Sequence, residues 1–134
     1  MRRPVVDKVW QAIRNFHDTD WSKNVIVKLD KVGAAGGLEI GARRILNDAF
    51  HETLRTLDED SRSFTYTIDD GPGPVSKDAV STYTGAVRLL PITENNTTFV
   101  EWQSNYESKD DGAVGELCNP IYQALLKDLK QHFS

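Results

Sequence analysis

A chain of 134 residues with 39% hydrophobic and 27% charged side chains has the size and balance of one globular domain over residues 1–134, which excludes a disordered chain. The net charge of −4 argues against the clustered basic surface that nucleic-acid binding needs. No apolar run reaches the length of a membrane span or a signal peptide, and the single cysteine, Cys118, cannot form an internal disulfide. We therefore expect a cytoplasmic protein without stable membrane insertion.

The first predicted element is a helix over residues 4–16, in which apolar side chains recur at helical spacing. Pro4 suits the first helical position, where the missing N–H of proline costs nothing. Residues 18–21 then predict a short second helical turn, with Thr19 or Asp20 as its capping residue. The chain is therefore predicted to start with a pair of helices.

Six strands are predicted next, because alternating apolar and polar runs are separated by segments rich in glycine, proline, asparagine and aspartate. In the first of them, Val25, Val27 and Leu29 are predicted to share one face, and residues 94–96 turn the chain before the last. Strands that follow one another through short turns form an antiparallel sheet. The predicted strands are 25–32, 40–46, 51–57, 62–68, 80–90 and 97–106.

A long helix is predicted at the C-terminus, where apolar residues recur at every fourth position. Pro120 is expected to kink or restart this helix, with Asn119 as the candidate cap. The element order predicts an α+β fold in which the sheet packs around this helix. Its apolar stripe is Leu117, Ile121, Leu125, Leu129 and Phe133, and its predicted solvent-facing residues are Lys127, Asp128, Lys130 and Gln131.

A charged pair is predicted on two neighbouring strands. A turn at 47–49 places Arg44 directly opposite Glu52, on faces that otherwise carry alanine, isoleucine and leucine. Tyr66 and Tyr83 lie on apolar faces of later strands. If these faces form the concave side of the sheet, the four polar side chains converge on one cavity.

Apolar side chains of the sheet and of the C-terminal helix are predicted to line this cavity. No histidine or cysteine spacing typical of a metal site occurs in the sequence, so neither a metal nor a cofactor is expected. Cys118 is expected to be a buried, inert thiol. The predicted lining residues are Leu46, Leu54, Phe64, Val87, Trp102, Ile121 and Leu125.

Several short motifs follow one another in an order typical of one protein superfamily. They are PVVDKVW at 4–10, GARR at 41–44, ETLRTLD at 52–58, FTYTIDDGP at 64–72 and VEW at 100–102. Their order and spacing resemble the SRPBCC superfamily, which includes START domains, birch-pollen-allergen-like (Bet v 1-like) proteins and bacterial polyketide cyclase/dehydrase-like proteins. The stretch from residue 41 to residue 106 is most similar to the polyketide cyclase branch.

This resemblance implies a helix-grip fold, in which an antiparallel sheet wraps around the C-terminal helix and leaves a cavity for a hydrophobic molecule. The ligand would be lipid-like, a polyketide or aromatic. On the same implication, Arg44 binds a carbonyl, enolate or carboxylate group, and Glu52 serves as general acid or base. Tyr66 and Tyr83 donate hydrogen bonds to developing negative charge. No cofactor is implied.

The sequence departs from the superfamily pattern at its start. Members usually have a strand before the first helix, beside the last strand, but only three residues precede Pro4 here. Either the N-terminus is truncated, or the strand over 97–106 is an open edge of the sheet. An open edge is a template for pairing, so a homodimer through 97–106 is expected in the second case.

Three functions stay open on the sequence alone. Binding or carriage of a hydrophobic molecule needs only an apolar cavity with a few polar anchors. A cofactor-independent cyclase, dehydratase or isomerase also needs Glu52 beside Arg44 and Tyr66 around an accessible void. An interaction protein would have a cavity filled by side chains, and its Arg–Glu pair would be an internal ion pair of the sheet that contacts no ligand.

Overall fold

The computed structural model describes residues 6–92, 97–108 and 111–133, except for the side chains of Ser81 and Asp111. The predicted helix start at Pro4 and the predicted turn at 94–96 lie outside these residues. The helices are α1 (Val6–Ile13), α2 (Asp111–His132) and two 3₁₀ turns (Asp20–Ser22 and Gly73–Val75). The strands are β1 (Leu29–Val32), β2 (Arg43–Leu46), β3 (Phe50–Asp58), β4 (Ser63–Asp70), β5 (Val80–Ile92) and β6 (Thr97–Ser108).

The strands in the described ranges form one antiparallel sheet in the order of the sequence, from β1 to β6. Leu125 and Leu129 of α2 pack into the same core as α1 and the inner residues of the strands. The predicted α+β helix-grip architecture is therefore confirmed. β6 ends the sheet order, and the homodimer expected along it stays a prediction. No helix in the described part of the chain is long and apolar enough to span a membrane.

The first helix is shorter at its C-terminal end than predicted. α1 ends at Ile13 rather than at residue 16, because the backbone N–H of Phe16 donates to Gly37 instead of continuing the helical pattern. Phe16 is nonetheless buried in the core. The predicted turn over 18–21 is present as the 3₁₀ turn Asp20–Ser22.

The cap of that 3₁₀ turn differs from the prediction. Thr19 occupies the capping position without a capping hydrogen bond from its side chain. The carboxylate of Asp18 instead accepts the backbone N–H of Asp20 at 3.0 Å. The local turn is therefore closed one residue earlier than expected.

The first strand starts later than predicted, and its predicted face is wrong. Ile26 is buried, whereas Val27 is 76% exposed. The side-chain amide of Asn47 holds this segment, because its oxygen accepts the N–H groups of Val27 and Lys28 and its nitrogen donates to the carbonyl of Val25. These bonds replace a strand ladder, so the two-residue alternation of side chains does not apply here.

The second strand also starts later, at Arg43 instead of residue 40. Ile40 is 58% exposed and does not share the buried face of Ala42. Gly41 has a φ of +92°, which favours glycine, and the N–H of Ala42 donates to the carbonyl of Glu39. A tight turn therefore occupies the start of the predicted strand.

The C-terminal helix continues through Pro120, so of the two predicted alternatives, a kink or a restart, the restart does not occur. Lys127, Lys130 and Gln131 are exposed as predicted. Asp128 is not, because only 7% of this residue is exposed and its carboxylate faces the 3₁₀ turn Asp20–Ser22. The prediction that Asp128 faces water is therefore wrong.

Gly85 is required where β5 passes under Tyr66 of β4, because a Cβ there would overlap the ring and the hydroxyl oxygen of Tyr66. We expect Gly85→Ala to lower the free energy of unfolding by about 1–3 kcal/mol, the usual range for overpacking a core. Chemical denaturation measures this change. Gly115→Ala is the matched control, since a Cβ on α2 there would make only ordinary van der Waals contacts with Asn119 and Tyr106, and the change should be neutral or slightly stabilising. An unchanged Gly85→Ala protein would contradict the close approach.

Candidate functional site

A cavity of about 250 Å³ lies between the sheet and α2. Of the predicted residues, Arg44, Glu52, Tyr66, Leu46, Trp102, Ile121 and Leu125 line it. Leu54, Phe64 and Val87 are buried in the packed core and Tyr83 in a second apolar cluster, and none of these four lines this cavity. Eight further lining residues were not predicted from the sequence: Trp21, Val25, Ile26, Phe50, Ile68, Cys118, Tyr122 and Asn47.

Arg44 and Glu52 form a buried ion pair at the wall of the cavity. The register of β2 and β3 sets them directly opposite each other, as the sequence predicts. Nε and Nη2 of Arg44 both donate to Oε1 of Glu52, at 2.9 and 2.7 Å. Nη1 donates to the carbonyl of Phe16 at 2.9 Å, and the guanidinium lies 3.8 Å from the centre of the Phe16 ring. The arginine is thus held on three sides.

The second carboxylate oxygen of Glu52 faces the cavity. Oε1 accepts both bonds from Arg44, and Oε2 accepts none. No fully buried side-chain oxygen or nitrogen in the described ranges lacks a hydrogen-bond partner, so Oε2 keeps accessible surface. Because Glu52 lines the cavity and is otherwise buried, that surface belongs to the cavity.

Burial raises the pKa of Glu52, because the ionised carboxylate loses its hydration. The positive charge and hydrogen bonds of Arg44 oppose this rise, and the nearby charge of Asp69 adds to it. The geometry of the site agrees with a raised pKa of Glu52. Arg44 neutralises the carboxylate through Oε1, but no donor stabilises the charge on Oε2. Such a carboxyl group is suited to exchanging a proton with a bound molecule.

Three tyrosine hydroxyls form a chain, and two of them, those of Tyr66 and Tyr122, belong to residues that line the cavity. Nε1 of Trp102 donates to the hydroxyl of Tyr66 at 2.9 Å, and this hydroxyl lies 3.4 Å from that of Tyr122. The hydroxyls of Tyr122 and Tyr83 are also in contact. Burial raises the pKa of all three tyrosines, so they are neutral hydroxyls at physiological pH.

Tyr83 therefore does not line the cavity but contacts Tyr122, which does. Its ring stacks on that of Tyr106 with the ring centres 5.6 Å apart, in an apolar cluster with Val114 and Cys118. The hydroxyl of Tyr122 was not predicted from the sequence as part of the site. Its signal is the spacing of Cys118, Tyr122 and Leu125, which places all three on one side of α2.

The buried carboxylate of Asp128 connects one wall of the cavity to α2 by hydrogen bonds. The hydroxyl of Ser22, which is fully buried, donates to Oδ2 of Asp128 at 2.8 Å, and Nδ2 of Asn24 donates to Oδ1 at 3.3 Å. These bonds join the segment that carries Trp21 and Ile26 to α2. Both of these residues line the cavity. The wall therefore depends on a contact between residues far apart in the sequence.

Neither a metal site nor a reactive thiol is found in the described part of the chain. No cluster of three or more histidine, cysteine, aspartate or glutamate side chains there could hold a metal ion. Burial raises the pKa of the Cys118 thiol, which disfavours the thiolate that acts as nucleophile or ligand. The polar chemistry of the cavity thus rests on Glu52, Arg44 and the tyrosines.

The sequence and structure are similar to one protein family. Residues 5–134 match the model of a family described as polyketide cyclase / dehydrase and lipid transport. A protein from Nitrosospira multiformis is 45% identical, with a TM-score of 0.93, over 97% of this chain and 89% of that chain. The protein XoxI from Bacillus cereus is 28% identical, with a TM-score of 0.74, over 96% of this chain and 87% of that chain.

Plant proteins share the fold at lower identity. The major latex-like protein 151 from Panax ginseng is 16% identical, with a TM-score of 0.76, over 100% of this chain and 92% of that chain. At this identity the likeness concerns the fold alone. No curated protein matches the chain.

Proposed function

Because the chain belongs to the polyketide cyclase / dehydrase and lipid transport family, and because an apolar cavity lies between its sheet and α2, we propose that it binds a hydrophobic small molecule in that cavity. The observation that carries the proposal is the cavity itself. It carries two polar groups, the Arg44–Glu52 pair and the Tyr66–Tyr122 hydroxyls, among predominantly apolar side chains. This is the usual composition of a small-molecule site.

The size of the cavity limits the ligand. A cavity of roughly 150 Å³ accommodates benzene, and this one measures about 250 Å³. The part of the ligand that the cavity encloses is therefore about the size of a fused two-ring aromatic compound or a short lipid-like chain. The same volume disfavours the interaction-protein alternative, which needs a cavity packed shut by side chains.

Filling the cavity with a larger side chain should weaken ligand binding. We expect Ile121→Trp to weaken the binding of naphthalene, an apolar probe of suitable size, at least about tenfold, because the indole would occupy the space of the ligand. Isothermal titration calorimetry measures the dissociation constants. Ile92→Trp, at the half-exposed end of β5 and away from the cavity, is the matched control and should bind like the original protein. Equal weakening by both substitutions, or no binding of naphthalene by any of the proteins, would contradict the proposal.

The molecule from the natural host would identify the ligand class. Native mass spectrometry of protein purified from its own host should detect a bound molecule that Ile121→Trp loses and Ile92→Trp keeps. The mass of that molecule then separates lipid-like, polyketide and aromatic ligands.

A second candidate function is acid–base catalysis on the bound molecule, and the cavity-facing Oε2 of Glu52 favours it. In this reaction Glu52 takes a proton from the carbon beside a carbonyl group, and the Tyr66 hydroxyl donates a hydrogen bond to the resulting enolate. In deuterium oxide the proton returns as deuterium.

Exchange of the methyl protons of 2-acetylnaphthalene, followed by NMR, tests this candidate. We expect the protein to accelerate the exchange and Glu52→Gln to remove about 100-fold or more of that acceleration. Glu101→Gln, in a partly exposed pair with Arg88 on β5, is the matched control. Exchange that proceeds equally with and without protein would leave ligand binding as the function.

A further inference from the structure

The polar atoms that line the cavity differ in what they can still bind. The amide of Asn47 is committed to the backbone of residues 25–28 on both its oxygen and its nitrogen. The hydroxyls of Tyr66 and Tyr122 face each other, and Tyr66 also accepts from Trp102. Among the carboxylate, amide and hydroxyl oxygens of the residues that line the cavity, Oε2 of Glu52 is the one without a hydrogen bond.

The charges of Arg44 and Glu52 balance each other before any ligand enters the cavity. The guanidinium of Arg44 donates twice to Oε1 of Glu52, and the two side chains are only 8% and 7% exposed. A ligand carboxylate would add a second negative charge beside Oε2, in surroundings where water cannot screen it. A neutral hydroxyl group would instead supply the donor that Oε2 lacks.

We propose that the cavity selects neutral apolar molecules that carry a hydroxyl group, such as phenols or alcohols, and rejects the corresponding carboxylates. The ligand hydroxyl donates to Oε2 of Glu52, and the rings or chain lie against the apolar wall formed by Phe50, Ile121 and Leu125. This inference rests on the proposed function, because it concerns the ligand of the same cavity. Arg44 acts here as the partner that holds and neutralises the carboxylate, and not as the anchor of an anionic ligand.

A matched series of naphthalenes tests the selection in the unmodified protein. Calorimetry would compare naphthalene, 2-naphthol, 2-methoxynaphthalene and 2-naphthoate. We expect 2-naphthol to bind about tenfold or more tightly than each of the others, which corresponds to about 1.4 kcal/mol. The methyl ether has the same rings and an oxygen acceptor but no donor, so it isolates the hydrogen bond to Oε2.

Removing the charge of Glu52 should reverse the preference. In Glu52→Gln the amide leaves the charge of Arg44 unmatched, so 2-naphthoate should become the tightest ligand of the series. Glu101→Gln lies outside the cavity and should keep the original order. If Glu52→Gln does not fold, as judged by circular dichroism, the series with the unmodified protein decides alone.

Each outcome has one meaning. Equal binding of 2-naphthol and its methyl ether, or tightest binding of 2-naphthoate by the unmodified protein, overturns the selection and leaves hydrophobic binding intact. Binding of none of the four compounds overturns both this inference and the proposed function. Tightest binding of 2-naphthol with reversal in Glu52→Gln supports both.

Discussion

Arg44→Met should lower the free energy of unfolding by about 3–5 kcal/mol, the range for removing one partner of a buried ion pair. The loss arises because Glu52 would stay buried without the donors that now reach its Oε1. The carbonyl of Phe16 would lose its bond from Nη1 as well. Urea denaturation at neutral pH measures the change.

The loss should depend on pH, and the direction follows from the pKa of Glu52. Burial holds the folded-state pKa above the unfolded one, so stability from this group is complete below the unfolded pKa and falls as pH rises through the folded pKa. Arg44→Met removes the two influences that lower this pKa, so the folded-state pKa rises further above the unfolded value. We therefore expect the difference from the original protein to be smaller at about pH 4 than at about pH 8.

Two variants separate this effect from a general loss of packing. Arg88→Met breaks the Arg88–Glu101 pair, whose side chains are 49% and 29% exposed, and should cost at most about 1 kcal/mol. The double variant Arg44→Met/Glu52→Met removes both charges and should recover most of the loss, because apolar pairs replace buried ion pairs well. A double variant as unstable as Arg44→Met alone would show that the charge of Glu52 is not the cause.

The sequence was sufficient to predict the Arg44–Glu52 pair because a short turn sets the register of β2 and β3. Asn47 and Asp48 adopt positive φ angles of 55° and 56°, which these residue types tolerate better than most others. The strands on either side then pair directly. The residues that determine the Arg44–Glu52 pairing therefore all lie within nine consecutive positions, 44–52.

The division of the sheet face between cavity and core could not be predicted in the same way. Phe64 and Tyr66 share a face of β4, but Phe64 packs against Trp10 of α1 and against Phe16, with ring centres 6.3 and 6.5 Å apart. Tyr66 lies under α2 instead. Which helix covers which part of a strand depends on long-range packing, and the two-residue period of a strand carries no information about it.

Asp128 shows the same limit on the helix. Its neighbours Lys127 and Lys130 are exposed, so a charged residue among them was assigned to solvent. Its burial follows from the partners Ser22 and Asn24, more than a hundred positions away in the sequence. A buried carboxylate that joins two distant segments is recognisable only when both are in place.

Asp128→Ala should lower the free energy of unfolding by about 3 kcal/mol, because hydrogen bonds to a charged group disappear and the buried Ser22 hydroxyl is left without an acceptor. The change should also loosen the cavity wall between residues 20 and 26. The backbone N–H groups of Val25 and Ile26 donate to the carbonyl of Ser22. Hydrogen exchange at these two amides should therefore accelerate more than exchange in β4 and β5.

Asp128→Asn removes the charge but keeps an acceptor, because the amide oxygen can still accept from Ser22. We expect this change to lower the free energy of unfolding by only about 1 kcal/mol. Asp30→Asn, on the edge strand β1 with a side chain 46% exposed, controls for the change in net charge. Faster exchange confined to Val25 and Ile26 would identify the segment as the part of the wall that opens first. Equal acceleration at every amide would mean that Asp128 stabilises the fold as a whole and does not fasten this wall in particular.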